Sequence, residues 1–118
     1  MLTAMLPPTI DLRHLSALGG ASDPELREII DDFLDELPLH LVQARRLLME
    51  GNPSALREMA HKIRGMAGSM GFKPLCAVAA EGDKDEPLKD AKGWVDRLEK
   101  EIAIGVEAWA VLKAEAEQ

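Results

Sequence analysis

A long helical repeat of apolar residues constrains the fold of this 118-residue chain more than any other feature of its sequence. Between Ser22 and Gly51, apolar residues return every three or four positions, which is the spacing of one face of an α-helix. The series is Leu26, Ile29, Ile30, Phe33, Leu34, Leu37, Leu41, Ala44 and Leu48. A helix with such a stripe must bury it against other elements, and Gly51 marks its expected end.

Single residues predict two details of this helix. Ser22 or Asp23 is expected to cap its first turn, and Glu25 is placed to form a capping box with Ser22. Pro38 lies inside the pattern and removes one backbone hydrogen bond. Because the apolar stripe continues in register beyond Pro38, we expect a bend at this residue rather than an end.

A short helix is predicted ahead of the long one, and three more are predicted after it. The short helix is capped by Thr9 or Asp11 and closed by Gly19 and Gly20, and it is too short to be stable alone. The later helices run from Asn52–Pro53 towards Gly71, from Pro74 to Gly82, and from about Leu88 to near the C-terminus. The apolar positions are Leu56, Met59, Ala60, Ile63, Ala67 and Met70 in the third helix, and Val95, Leu98, Ile102, Val106 and Trp109 in the last.

Short connections between amphipathic helices imply antiparallel neighbours. The predicted fold is therefore all-α, an antiparallel up-down four-helix bundle with a short additional N-terminal helix. We expect one domain over residues 9–116, preceded by a flexible N-terminal segment at residues 1–8.

Composition agrees with helices and limits the partners. Aromatic residues make up 3% of the chain and tyrosine is absent, so the core is expected to consist of Leu, Ile, Val, Ala and Met. The 14 Lys and Arg residues stand against 21 Asp and Glu residues, and the net charge of −7 argues against nucleic acid or an anionic membrane as a partner.

The protein is expected to be cytoplasmic. No apolar run approaches the roughly 18 residues that a membrane span needs, and residues 1–8 lack the basic flank of a signal peptide. Cys76 is the only cysteine, which excludes an intramolecular disulfide and suits a reducing compartment. Its apolar neighbours indicate that Cys76 is packed rather than reactive.

His61 on the third helix is the candidate functional residue because of the direction in which it points. At about 100° per residue, the apolar positions of this helix lie within roughly 60° of one direction, and His61 lies about 140° from it. Gly65 and Gly68 follow His61 one and two turns along on the same side of the helix, and Arg57 and Arg64 also flank His61. An exposed histidine is most often idle, but each interior glycine costs a helix about 1 kcal/mol relative to alanine. The glycines therefore suggest that the helix surface beside the imidazole is kept bare for a partner.

The chemistry available to an exposed His61 is nucleophilic. A neutral imidazole keeps a lone pair on one ring nitrogen. A phosphoryl group on that nitrogen carries close to two negative charges, and the guanidinium of Arg64 offers it two parallel donors. Ser69, on the polar side of the same helix, is expected to contact phosphate or backbone rather than to perform acyl chemistry.

The run from Ala60 to Gly71, AHKIRGMAGSMG, resembles the signature of histidine-containing phosphotransfer (HPt) domains. That signature has Ala-His, an apolar residue, Lys-Gly, small residues, and then an apolar residue and Gly. The upstream segments IDLRHLSALGG, DPELREIIDDFLDELP and GNPSALREMAHKI are similar to the N-terminal plan of the family. The resemblance covers most of residues 9–82.

The resemblance implies a phosphorelay intermediate, which is a phosphocarrier and not an enzyme. His61 then accepts a phosphoryl group from an aspartyl phosphate on a receiver domain and passes it to another response regulator. Arg64 and Ser69 stabilise the phosphoryl group, with Arg64 in place of the family's usual lysine, and Gly65 and Gly68 give the receiver access. The implied partners are receiver domains and a hybrid sensor histidine kinase, and the chain is expected to be a monomer.

The resemblance also sets expectations for cofactors and docking. Because the receiver supplies an acidic pocket and Mg²⁺, no cofactor or metal site is expected on this chain. Receiver docking is expected at apolar surface around His61, from Leu39 and Val42 on the second helix and Met66 on the third, with Arg57 beside them. Packing in the core is the alternative role for Met66.

Two departures from the family pattern affect the site. Arg64 keeps the positive charge of the usual lysine but changes the geometry of the donors. Where several family members place a Gln close to the phosphohistidine, this chain has Glu81-Gly82-Asp83. An acidic side chain there either repels a phosphoryl group or simply lies in the loop.

Two other functions compete with phosphotransfer. Glu58-x-x-His61 matches one half of a di-iron carboxylate motif, but this site needs a second pair, and neither His14 nor His40 has a matching Glu. The second rival is an HPt-like scaffold that docks two-component signalling proteins without carrying phosphate. The intact His-x-x-Arg-Gly counts against a scaffold, because a scaffold has no need of the histidine.

Overall fold

Five α-helices account for most of residues 9–117, the part of the chain that the computed structural model describes. Their bounds are Leu12–Ala17 (α1), Pro24–Glu50 (α2), Pro53–Met70 (α3), Lys73–Gly82 (α4) and Ala91–Ala116 (α5). The all-α prediction is confirmed, although α4 begins one residue before Pro74 and α5 begins at Ala91 rather than near Leu88. The predicted flexible segment at residues 1–8 lies outside the described residues.

Polar side chains and glycines set the ends of the first three helices. The caps are Asp11, Asp23 and Asn52, and the side-chain oxygen of each accepts hydrogen bonds from backbone N–H groups of the first turn. α2 and α3 end at Gly51 and Gly71, with φ of 64° and 83°. These are left-handed conformations that favour glycine, which explains why both helices stop where they do.

The first turn of α2 corrects one expectation. Asp23 is the cap, and its carboxylate accepts from the backbone N–H of Glu25 at 2.9 Å, so the predicted capping box between Ser22 and Glu25 was wrong. The reason is Pro24, which occupies the first helical position because its fixed φ suits a helix and its missing N–H is not needed there. Pro38 lies within an unbroken α2, so the helix does continue past it.

The four longer helices form a closed ring. α2 packs against α3, α3 against α4, α4 against α5, and α5 against α2. An ion pair between Arg45 and Asp96, with an N–O distance of 3.1 Å, joins the outer edges of α2 and α5. This arrangement is a four-helix bundle with its core inside the ring.

α1 is held against the end of α3. The backbone N–H of Asp11 donates to the carbonyl of Gly71 at 2.8 Å, and Nε2 of His14 donates to the carbonyl of Ser69 at 2.7 Å. Lys73 pairs with the Asp11 carboxylate at 2.9 Å. These three contacts tie the short helix to the junction between α3 and α4.

Large aromatic residues lie in the core, which corrects the composition-based expectation of a core of Leu, Ile, Val, Ala and Met, although the helical repeat did predict the buried position of Trp109. Trp94, Trp109 and Phe72 are at most 2% exposed. Two predicted core residues are instead exposed, Ile29 at 53% and Val106 at 43%. Ile29 lies about 40° outside the arc of α2 that the buried residues span from Phe33 to Leu34, so its side chain faces solvent. Val106 lies at the edge of the buried arc of α5.

Within residues 9–117, no helix combines the length and the apolar character that crossing a membrane requires.

Candidate functional site

His61 projects from the outer face of α3 into solvent, as its helical angle predicted. Its side chain is 77% exposed, whereas the neighbouring Ala60 is fully buried. The helix therefore anchors its backbone through the core and leaves the imidazole accessible.

Asp83 is the group that contacts the imidazole. It follows the last residue of α4, and its Oδ2 lies 2.9 Å from Nδ1 of His61. The same oxygen accepts a hydrogen bond from Nη1 of Arg64 at 3.1 Å. The Asp83 side chain is only 9% exposed, although the two groups that it binds are largely in solvent. One carboxylate oxygen thus joins the histidine and the arginine that the sequence singled out.

The charge on Asp83 determines which nitrogen of His61 is free. The hydrogen bond from His61 and the one from Arg64 lower the pKa of Asp83, and they outweigh burial, which acts to raise it. The group is therefore an ionised carboxylate, which can only accept hydrogen bonds. Nδ1 of His61 must then carry the proton, and in the neutral ring the lone pair resides on Nε2, on the far side of the imidazole.

Gly82 explains how Asp83 reaches His61 although 22 residues separate them in the chain. Gly82 is buried, and a Cβ on it would lie 2.5 Å from the ring of Trp94 and 3.0 Å from the Cβ of Ala60. The end of α4 therefore lies directly between α5 and the residue that precedes His61. Trp94 is itself fixed, because its Nε1–H donates to the carbonyl of Val78 on α4 at 2.7 Å.

The two glycines beside His61 have different surroundings. A Cβ on Gly65 would have no atom within 4 Å apart from its own helix, so this position is open. A Cβ on Gly68 would lie 3.3 Å from Sγ of Cys76, which is half-buried on α4. Gly65 is thus bare surface, whereas Gly68 also allows α4 to approach α3. Cys76 packs against the core, as predicted.

Ser69 lies away from His61. Its hydroxyl donates to the carbonyl of Met66 at 3.0 Å, within its own helix. Eight residues at 1.5 Å per residue separate it from His61 by about 12 Å along the axis. Of the two surroundings predicted for Ser69, the structure provides the backbone contact and does not bring its hydroxyl to the imidazole.

The predicted docking residues are spread over two helices. Leu39 and Val42 of α2 are 67% and 70% exposed. Met66 is half-buried and packs against the core. Arg57, one turn before His61, pairs with Asp85 at 2.8 Å. Arg57 and Arg64 therefore both bind carboxylates that follow α4.

The two acidic residues that depart from the family pattern have different partners in the structure. Glu81 binds Arg97 of α5 through both carboxylate oxygens, at 2.8 and 2.9 Å, and does not contact His61. Asp83 belongs to the site. Gly82 permits the close approach of α4, but the sequence alone does not show which residue its missing side chain makes room for.

Over residues 9–117, no group of three His, Cys, Asp or Glu side chains is arranged to bind a metal ion. The half motif formed by Glu58 and His61 has no second half in that part of the chain.

Comparison with known proteins places this geometry in context. The profile of the Hpt domain family matches residues 28–109, which include His61, Arg64 and Asp83. The fold is similar to the crystal structure of histidine-containing phosphotransfer protein B (HptB) from Pseudomonas aeruginosa PAO1, with a TM-score of 0.68 and 25% identity, covering 95% of this chain and 97% of that one. Comparison with curated protein sequences gave no significant match.

Proposed function

The chain belongs to the Hpt domain family, and on that premise we propose that His61 is the residue through which it carries phosphoryl groups. Its role is histidine phosphotransfer in a phosphorelay, and proteins of this family are phosphocarriers rather than classical enzymes. The observation that supports His61 is the state of its ring: Nδ1 is bound to Asp83, and Nε2 is free on a side chain that is 77% exposed.

The proposed step moves no proton. The lone pair of Nε2 attacks the phosphorus of an aspartyl phosphate on a receiver domain and forms the N–P bond. The P–O bond to the aspartate breaks, and its electron pair leaves with the receiver's carboxylate. Nδ1 keeps its proton throughout, so the imidazole ring gains one positive charge. Transfer to the next response regulator is the reverse of this step.

Arg64 and Gly65 have supporting roles in this proposal. The Arg64 side chain is 51% exposed and uses Nη1 on Asp83, which leaves further guanidinium donors for the phosphoryl oxygens. Gly65 leaves open surface beside the imidazole, so that a receiver domain can bring its aspartyl phosphate to Nε2. Because Gly68 faces Cys76, we assign its lack of a side chain to the packing of α3 on α4, and we assign no phosphate contact to Ser69.

Receiver domains are the partners of this family, and we propose that a hybrid sensor histidine kinase and a response regulator are the ones that this chain serves as a monomer. In this proposal the chain is their phosphorylated substrate, and Mg²⁺ comes with the receiver rather than with a site on the bundle. Leu39 and Val42 provide exposed apolar contacts for the receiver. Arg57 provides a positive charge, and Met66 contributes through its exposed edge.

Transfer from a phosphorylated receiver domain tests the proposal. The native chain is expected to acquire a label that is labile in acid and stable in base, as a phosphoramidate bond is. His61→Gln is expected to abolish the label, and His40→Gln, which changes a half-buried histidine on α2, is the matched control and is expected to keep it. Label that survives on the His61→Gln variant would contradict the assignment.

A further inference from the structure

We propose that Asp83 is a positioning residue that confines phosphorylation to Nε2 of His61 and provides the countercharge for the phosphorylated ring. This inference rests on the proposed function of His61 and adds a carboxylate to it.

The positions of both groups are fixed by the core. Asp83 is 9% exposed and follows Gly82, which has no room for a side chain between the Trp94 ring and Ala60. His61 follows the fully buried Ala60. Because Gly82 packs directly on Ala60, the two backbones that carry the carboxylate and the imidazole cannot shift independently. The 2.9 Å hydrogen bond is therefore part of a rigid arrangement and not a chance pairing of surface side chains.

The hydrogen bond blocks one nitrogen and selects the other. An imidazole offers two nitrogens to a phosphoryl donor, and an exposed ring without a fixed partner can use either. With Nδ1–H donated to Asp83, that nitrogen has no available lone pair, and its approach is covered by the carboxylate. Only Nε2 can form the N–P bond.

The charge on Asp83 favours the phosphorylated ring. When Nε2 forms the N–P bond and Nδ1 keeps its proton, the ring becomes a cation, and the carboxylate is 2.9 Å from the nitrogen that bears this proton. The new phosphoryl group is on the opposite side of the ring and in solvent, where water screens its repulsion by Asp83. Attraction at contact distance in a mostly buried position outweighs repulsion across the ring through water. The acidic side chain therefore supports phosphorylation rather than opposing it.

Arg64 maintains this arrangement. Its Nη1 binds the same Oδ2 atom at 3.1 Å, and this bond is the second contribution that lowers the pKa of Asp83. The carboxylate consequently stays ionised and keeps its single accepting role towards His61.

Labelling with phosphoramidate tests the inference without a receiver domain. In this reaction the ring nitrogen forms a bond to phosphorus while ammonia leaves with the electron pair of the P–N bond. Phosphorus NMR distinguishes the two phosphohistidine isomers, and the signals of His61 are those absent from a His61→Gln variant. The variants are Asp83→Ala and Asp83→Asn, and Glu81→Gln is the matched control because it removes a nearby carboxylate that binds Arg97 instead.

The native chain and Glu81→Gln are expected to give only the Nε2 isomer. Asp83→Ala is expected to give both isomers at His61 and to label Nε2 more slowly by about tenfold, the scale of one charge-assisted hydrogen bond. Asp83→Asn keeps an oxygen that accepts from Nδ1–H but loses the charge. We therefore expect the Nε2 isomer alone, formed at a rate between those of the native chain and Asp83→Ala. A merely structural role would not change the ratio of the isomers.

Two results would overturn the inference: Asp83→Ala labelled only on Nε2, or Asp83→Ala and Asp83→Asn labelled at the native rate. Thermal unfolding of each variant verifies that it is folded during labelling, and the isosteric Asp83→Asn variant decides the role of the charge if Asp83→Ala is unstable. Failure of the proposed function is a separate outcome, because it shows as a lack of transfer from a phosphorylated receiver to His61.

Discussion

Two carboxylates in this bundle have nearly the same hydrogen-bond pattern and very different surroundings. Oδ1 of Asp31 accepts from the ring Nε1–H of Trp109 and from Lys113, both at 2.8 Å. Oδ2 of Asp83 likewise accepts from a ring nitrogen and from a basic side chain, at 2.9 and 3.1 Å.

The rings of Trp109 and His61 differ in their exposure to solvent and in their number of nitrogen atoms. Trp109 is 2% exposed, and the indole has no second nitrogen. With its only N–H bound to Asp31, its ring can do no more than join α5 to α2. The imidazole of His61 is 77% exposed, and its second nitrogen stays free when the first is bound. The same pattern of bonds therefore stabilises the fold at Asp31, whereas at Asp83 it leaves Nε2 of His61 exposed for the proposed phosphotransfer.

The largest effect on stability is expected at Trp109, the ring with the structural role. Trp109→Ala should lower the free energy of unfolding by about 3–5 kcal/mol, because it leaves a cavity where a fully packed aromatic ring was. Denaturant unfolding measures this change. Under conditions in which the variant is folded, the rate of phosphoryl transfer to His61 should stay within about twofold of the native rate. A twofold change in rate is smaller than the effect of losing one hydrogen bond. A tenfold loss of transfer in folded Trp109→Ala would show that the two regions are not separate.

Gly82→Ala tests the link between packing and chemistry. An added methyl group would lie 2.5 Å from the Trp94 ring, so α4 must shift, at a cost of about 1–3 kcal/mol. Because Asp83 is the next residue, its bond to His61 should weaken as well, and transfer should slow. Unfolding and transfer rates measured on the same preparation verify both effects. A destabilised variant with native transfer would indicate that the position of Asp83 does not matter.

Gly65→Ala should have a smaller effect on stability, with the opposite sign. A methyl group here meets no atom within 4 Å beyond its own helix, and alanine favours a helix over glycine by up to about 1 kcal/mol. The midpoint of thermal unfolding should therefore rise. Transfer from a receiver domain should fall by a larger factor than labelling by the much smaller phosphoramidate. Equal factors for the two donors would argue against Gly65 as an access point for the receiver.

Acid unfolding is expected to reveal the smallest effect, shared by the two carboxylates. At Asp31 burial acts to raise the pKa, but the hydrogen bonds from Lys113 and Trp109 lower it overall, and the pKa of Asp83 is lowered by His61 and Arg64. A group with a lowered pKa in the folded state stabilises the fold above its ordinary value of 3.8 and loses that contribution as pH falls further. Stability should decline below that pH, and less steeply in Asp31→Asn. An unchanged slope in that variant would contradict the role given to Asp31.

The exposure of His61 was predictable from the sequence because it depends only on the helical repeat of α3. The caps at Asp11 and Asn52 and the stops at Gly51 and Gly71 were predictable for the same reason, since each depends on residues within one or two turns.

Features that depend on how separate helices pack were not predictable. The contact of Asp83 with His61 requires α4 to lie on Ala60, and this follows from the burial of Trp94 against Gly82. Ser69 illustrates the converse, because its angle around α3 suited a site residue while its distance along the axis did not. Helical angles alone thus predicted the exposure of the proposed nucleophile but not the carboxylate that contacts it.

The nitrogen that carries the phosphoryl group is the most direct test of this account. The native chain is phosphorylated by a receiver domain, and phosphorus NMR identifies the modified atom, with His61→Gln as the reference. The account predicts a single phosphohistidine at His61, bonded through Nε2. A phosphoryl group on Nδ1 of His61, or on any other residue, would contradict it.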